Sequence, residues 1–206
     1  MGHDAGNYGN YGSYGNSNQA GFAAFSLSSP LFPMTLTFQP SQFDPNTMIV
    51  QRMVNGATIP SYSITKSKNT LTFSRIDAGN TMIQPPSIGS ATIHSLSSNV
   101  DISLFGHHIS MKCSQLSGNY TLTCPPMRKL KWENSMSGST LKLIDTSSGS
   151  QLVKLKKDTL QVFVPCDDFL LDLIVISGTV AGQEQKKINN AAANAAGDVI
   201  SAVVGV

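Results

Sequence analysis

Charge is scarce in this chain: Asp, Glu, Lys and Arg make up 13% of its 206 residues, and the net charge is +2. So small an excess argues against a nucleic-acid partner, which calls for a basic chain or a dense local cluster. Cysteine is sparse as well. Cys113, Cys124 and Cys166 are an odd set without CxxC spacing, which argues against a disulfide framework or a thiolate zinc centre. The N-terminus offers Gly, Asn and Tyr where a signal peptide needs a basic start and an apolar core, and the short run GFAAFSLSSPLF has no basic flank. The expected setting is therefore intracellular, in the cytoplasm or peripherally at a membrane. The formal glycosylation sequon at Asn119–Thr121 then carries no meaning. Catalytic signatures are missing too: there is no GxSxG elbow, no Gly-rich phosphate loop and no recognisable carboxylate pair. A spatial triad would leave no such trace. Even so, the reading is of a protein that is not an enzyme and needs no cofactor.

What the chain does have is a polar arm, then short alternating segments, then one apolar run. Residues 1–33 include NYGNYGSYGNSNQ, a Gly/Asn/Tyr repeat that cannot bury enough apolar surface to order itself. From Met34 the pattern changes to period two. MTLTF, TMIVQR, SYSIT, TLTFSR, ATIHSL, VDISLF, HHISMKC, NYTLTC, RKLKW, TLKLID, QLVKLK and TLQVFV follow in order. Turn signals separate them, among them Asn55-Gly56, Ala78-Gly79-Asn80, Gly106, Gly118-Asn119 and Ser148-Gly149. About twelve short strands at this spacing predict an antiparallel sandwich or barrel.

The stretch PCDDFLLDLIVISGTVAG, residues 165–182, then breaks the pattern. It is apolar on all sides, which suits a buried helix or a buried strand. Pro165 ends the preceding strand, Asp167 and Asp168 suit a helix N-terminus, and the run continues into Ala-rich sequence; all three favour helix. A membrane span needs about 20 apolar residues, and this run is shorter and contains Asp172. The expectation is a central helix over 167–182 plugging a barrel of residues 34–183. An Ala-rich tail, 184–206, follows and is open to helix formation.

Many antiparallel strands followed by an apolar C-terminal helix resemble the tubby C-terminal-like superfamily, which includes tubby, the phospholipid scramblases and the LURP-one-related proteins. The stretch carrying the likeness is LKWENSMSGSTLKLIDTSSGSQLVKLKKDTLQVFVPCDDFLLDLIVISG, residues 130–178, with weaker similarity over LTFQPSQFDPNTMIV, residues 36–50. It is most similar to a fungal branch of that superfamily. The resemblance implies a closed twelve-strand barrel around one hydrophobic helix, and it brings no catalytic signature. Scramblase features are missing: there is no cysteine-rich palmitoylation stretch and no acidic calcium loop.

Seven of the 14 Lys and Arg residues fall within residues 128–157. Arg128, Lys129, Lys131, Lys142, Lys154, Lys156 and Lys157 alternate with Leu130, Trp132, Leu141, Leu143, Val153 and Leu155, a pattern that in strands sends lysine to one face and apolar groups to the other. Such a basic face attracts anionic headgroups; lysines on strand faces also discourage edge-to-edge aggregation. Tubby-like domains bind phosphoinositides, so the resemblance implies a ligand of the same sign. The second reading is a self-associating structural protein that uses its arm and tail. His94, His107, His108 and Cys113 could offer metal ligands, but adjacent strand residues face opposite ways and no carboxylate stands at ligand spacing. No metal site is expected. Cys166 beside two aspartates should have a raised thiol pKa and be a poor nucleophile. Trp132 reads as core, and Asp172 as a structural group that needs a partner.

Overall fold

The computed structural model describes residues 33–76, 86–95, 97, 99–114, 116–125, 128–135 and 139–204, with side chains as far as Ala191. The arm expected over 1–33 therefore lies outside the described residues except for Pro33, as do Ala78-Gly79-Asn80. The first four strands are β1 (Met34–Pro40), β2 (Thr47–Val54), β3 (Ala57–Ser67) and β4 (Thr70–Arg75). The next four are β5 (Ser87–Ile93), β6 (Val100–Leu104), β7 (His107–Cys113) and β8 (Tyr120–Cys124). The last four are β9 (Arg128–Asn134), β10 (Thr140–Asp145), β11 (Gln151–Lys156) and β12 (Thr159–Val162). Each pairs antiparallel with its sequence neighbours, and β1 pairs with β12 to close the barrel. One helix, α1 (Asp168–Val204), follows. Among the described residues the fold is an all-β barrel with a single helix.

Period-two burial shows why these segments are strands. In β8, β9 and β10, for example, Tyr120, Leu122, Leu130, Trp132, Leu141 and Leu143 point inward and are buried, while Thr121 and Lys142 on the alternate positions are exposed. Pro60 in β3 lacks a ladder N–H, and the register shifts beside it, between Val50 and Gln51 of the partner strand. A bulge is where a sheet tolerates proline. Gly89 in β5 meets a different constraint: a Cβ there would stand 2.4 Å from the Ser103 carbonyl oxygen and 3.4 Å from Ile176 of the helix. Backbone cannot swing aside as a side chain does. Gly89→Ala should cost about 1–3 kcal/mol, read from the urea midpoint; an unchanged midpoint would show that β5 and β6 can separate there.

A barrel of about eight strands is filled by its own side chains, but a wider one leaves a lumen. Here α1 fills it. From Asp172 to Ala181 every residue is buried, and the helix meets strands on several sides. Tyr62 of β3 and Arg75 of β4 reach Asp172, and Trp132 Nε1 of β9 donates to Ser177 Oγ at 3.1 Å. Beside it, Gly178 stands where a Cβ would be 2.9 Å from Leu160 of β12 and 3.2 Å from the Trp132 ring. The two buried hydroxyls are satisfied within the helix, Ser177 donating to Leu173 O and Thr179 to Val175 O, each at 2.7 Å.

Asp167 caps the helix, its Oδ1 accepting from the Leu170 N–H at 2.8 Å. The far end departs from expectation. No break separates a plug ending at 182 from a tail beginning at 184; one helix of 37 residues runs through both, about 55 Å at 1.5 Å per residue. Alanine has the highest helix propensity, so the Ala-rich sequence carries on the helix that the lumen has nucleated. Residues are buried to Ala181, buried or half-buried to Gln185 and exposed from Lys186, so the helix leaves the barrel near Gln185. That end is called the upper end below. No helix among the described residues is long and apolar enough to cross a membrane.

Candidate functional site

The basic segment forms three adjacent strands, β9, β10 and β11. Lys129, Lys131, Lys142, Lys154 and Lys156 occupy the outward positions, alternating with buried Leu130, Trp132, Leu141, Leu143, Val153 and Leu155. Register then sorts them. Lys142 lies directly opposite Lys154 on β11 and opposite Glu133 on β9. Lys154 is followed across the sheet by Gln161 of β12, and Lys156 is paired with Thr140 and Thr159. One row therefore reads Glu133, Lys142, Lys154, Gln161, with two like charges side by side. Like charges directly opposite each other destabilise a sheet.

Three expected members stand apart. Arg128 shares the inward parity of Leu130 and Trp132 at the lower end, and its Nε donates to Asp145 Oδ2 at 2.8 Å. Asp145, the last residue of β10, is buried. The Ser147 N–H and then Arg128 hold its carboxyl below the usual range. Lys131 pairs with Glu133 at 2.9 Å, so part of the face is neutralised. Lys157 is not on the face at all but in the turn between β11 and β12, at the upper end.

The metal-ligand candidates are separated by the topology. Strand β7 carries His107 and His108 at the lower end and Cys113 six residues later at the upper end, about 20 Å along the strand. His94 is bonded to Asp101 at 2.7 Å, and His107 stands edge-on to Phe169 with ring centroids 5.4 Å apart. Among the described residues no cluster of three His, Cys, Asp or Glu is placed to hold a metal. Burial, and after it Asp167 and Asp168, push the Cys166 thiol up to about 11, so it is protonated near neutrality.

Sequence reasoning left Asp172 without a named partner, and it did not pick out Arg75. Arg75 reaches inward from β4, donating from Nε and Nη2 to Asp172 at 3.0 and 2.8 Å and from Nη1 to Asp168 at 2.9 Å. Tyr62 Oη adds a bond to Asp172 at 2.9 Å. Burial still raises the Asp172 pKa, with Tyr62 and Arg75 opposing it. The group joins helix to barrel, with Asp172 fully buried and Arg75 and Asp168 reaching solvent.

Sequence reasoning also missed the upper rim, where Lys66, Lys68, Lys157, Lys186 and Lys187 come from three parts of the chain to surround the emerging helix. Lys68 and Lys157 occupy two-residue turns with φ of +51° and +54°. Lysine in a turn position that glycine or asparagine takes at lower cost was the available signal. Lys187 is paired with Glu184, and Lys186 with Asp158. No family model, curated protein or solved structure gives a significant match to this chain.

Proposed function

We propose that this chain is a non-enzymatic barrel that binds anionic phospholipid through the outward face of β9, β10 and β11. The observation that carries the reading is the pair Lys142 and Lys154, held opposite each other with no acid between them. A solubility role would be served as well by lysines spaced among acids, without the cost of facing like charges. An anionic surface offsets that cost, and each lysine near it contributes about 1 kcal/mol. Lys129 and Lys156 extend the face along the strands, while Arg128 and Lys131 contribute less because Asp145 and Glu133 already engage them. The tubby-like resemblance supports a phosphoinositide headgroup as the preferred lipid.

Lys154→Glu tests this with two readouts that move in opposite directions. The variant places Glu opposite Lys142, so the fold should gain about 0.2–1 kcal/mol. Flotation with vesicles containing phosphatidylserine or phosphoinositide should fall, and the remainder should be more salt-sensitive than neutral-vesicle background. Flotation that is unchanged in Lys154→Glu but lost on removing residues 1–33 would give the function to the arm, the self-association reading. Absence of flotation with any anionic vesicle would leave the face a solubility device.

A further inference from the structure

Two clefts flank the turn Lys157-Asp158 where α1 leaves the barrel. One, of about 310 Å³, lies between β10, β11 and the helix; the other, of about 190 Å³, lies between β1, β2, β11 and the helix. They share Leu155, Lys157, Asp158, Gly182 and Lys186 as walls, and so lie on either side of that turn as neighbouring parts of one grooved rim. The turn is tied to the helix by the ion pair Asp158–Lys186 at 2.6 Å, in which both side chains are more than half exposed. Partners so exposed exchange readily with solvent and with other ions.

The inner wall is mainly apolar. Phe38, Met48 and Leu155 face Gly178 and Gly182, which lie one helical turn apart, and Leu155 packs directly against Gly182, while Thr179 and Gln183 add polar groups to the wall. The β1–β2 hairpin that supplies Phe38 and Met48 ends in a loop bearing Phe43, which is 96% exposed. At the mouth the balance is positive. Asp158 is engaged by Lys186, and among the described residues Lys157 has no ion pair. The chain keeps lysine at position 157 although its φ of +54° favours glycine, asparagine or aspartate.

We propose that this groove binds a monomeric single-chain anionic amphiphile, a fatty carboxylate in its simplest form. The chain lies along Phe38, Met48 and Leu155, and the carboxylate accepts from Lys157. Lys186 becomes a second donor when the carboxylate takes the place of Asp158. Volumes of about 310 and 190 Å³ suit a small ligand, and ligand sites of this kind pair an apolar wall with a few placed polar groups. The proposal does not rest on vesicle binding by the outer lysines.

The test uses the full chain, cis-parinaric acid as fluorescent probe, and laurate and dodecanol as competitors below their aggregation thresholds. Laurate should displace the probe saturably, and dodecanol should do so less well. Lys157→Gly should weaken laurate about fivefold, the effect of losing one partly exposed ionic contact, while raising the thermal midpoint because the turn suits glycine. Met48→Trp, which fills the smaller cleft, should weaken probe and laurate together. Lys154→Glu should leave both unchanged, which separates this groove from the strand face. Absence of saturable displacement, or equal affinity in wild type, Lys157→Gly and Met48→Trp, would overturn the proposal. So would laurate that binds only when presented in vesicles.

Discussion

Ile174→Asp is expected to prevent folding. Ile174 is fully buried in the lumen, with Leu173, Val175 and Ile176 buried beside it. Arg75, the cation bonded to the helix at its buried Asp172, is already shared between Asp168 and Asp172. A second carboxylate there has no cation to meet, and burying an unpaired charge costs on the order of 5 kcal/mol or more even after relaxation. Whole domains are stable by roughly 5–15 kcal/mol, so one such substitution removes much or all of the margin. The result should be an aggregated chain without a cooperative melt by circular dichroism. Leu173→Asp should behave alike. The outcome discriminates between two roles for the apolar run. If the helix were an accessory anchor, the charged variant would leave a folded barrel; a soluble Ile174→Asp protein with a wild-type melt would refute the plug.

The second large effect belongs to Arg75. Arg75→Met leaves Asp172 buried with Tyr62 as its remaining partner, and breaking a buried pair in this way typically costs about 3–5 kcal/mol. The pH dependence should change with it. Burial already holds the Asp172 pKa above the ordinary carboxylate value, although Tyr62 and Arg75 oppose the shift. Removing the guanidinium raises it further. A carboxyl whose folded pKa exceeds its unfolded one contributes stability fully below the unfolded value of about 4, and that contribution is lost as pH rises through the folded value. The urea midpoint of Arg75→Met should therefore climb between pH 7 and pH 5 by more than the wild type's does. Adding Asp172→Asn removes the charge yet keeps an acceptor for Tyr62, so the double variant should regain stability at pH 7 and lose the acid-dependent gain. A small loss with a flat pH profile would show that Asp172 does not depend on Arg75.

Much of the architecture could be read locally. Strands show themselves when one face is buried, because alternation such as Leu130, Trp132 against Lys129, Lys131 has a period no helix shares. The helix shows itself for the opposite reason: residues 173–176 are apolar all round and so need cover on every side. Its far boundary was less legible, since Gly178 and Gly182 resemble helix stops in sequence. In the barrel both are sites of close contact with Leu160 and Leu155, so they continue the helix. The basic stripe was legible as composition but not as electrostatics. Whether Lys142 faces Lys154 or Glu133 depends on register, and period two fixes which face a residue takes without fixing its neighbour. Arg128 shows the limit in miniature: near Lys129 and Lys131 in sequence, it has the opposite parity and belongs to Asp145.

The sequence by itself determined the class of the protein: short half-buried strands, one fully apolar helix, and a charge supply concentrated in residues 128–157. Those properties depend on contacts within a few residues, and local periodicity records them. Tertiary structure alone decided which charges meet. Arg75 and Asp172 are 97 residues apart, and the groove draws its walls from β1, β2, β11 and the helix. Closure of β1 onto β12 brings those segments together, and no local pattern carries a trace of a contact that chain closure creates.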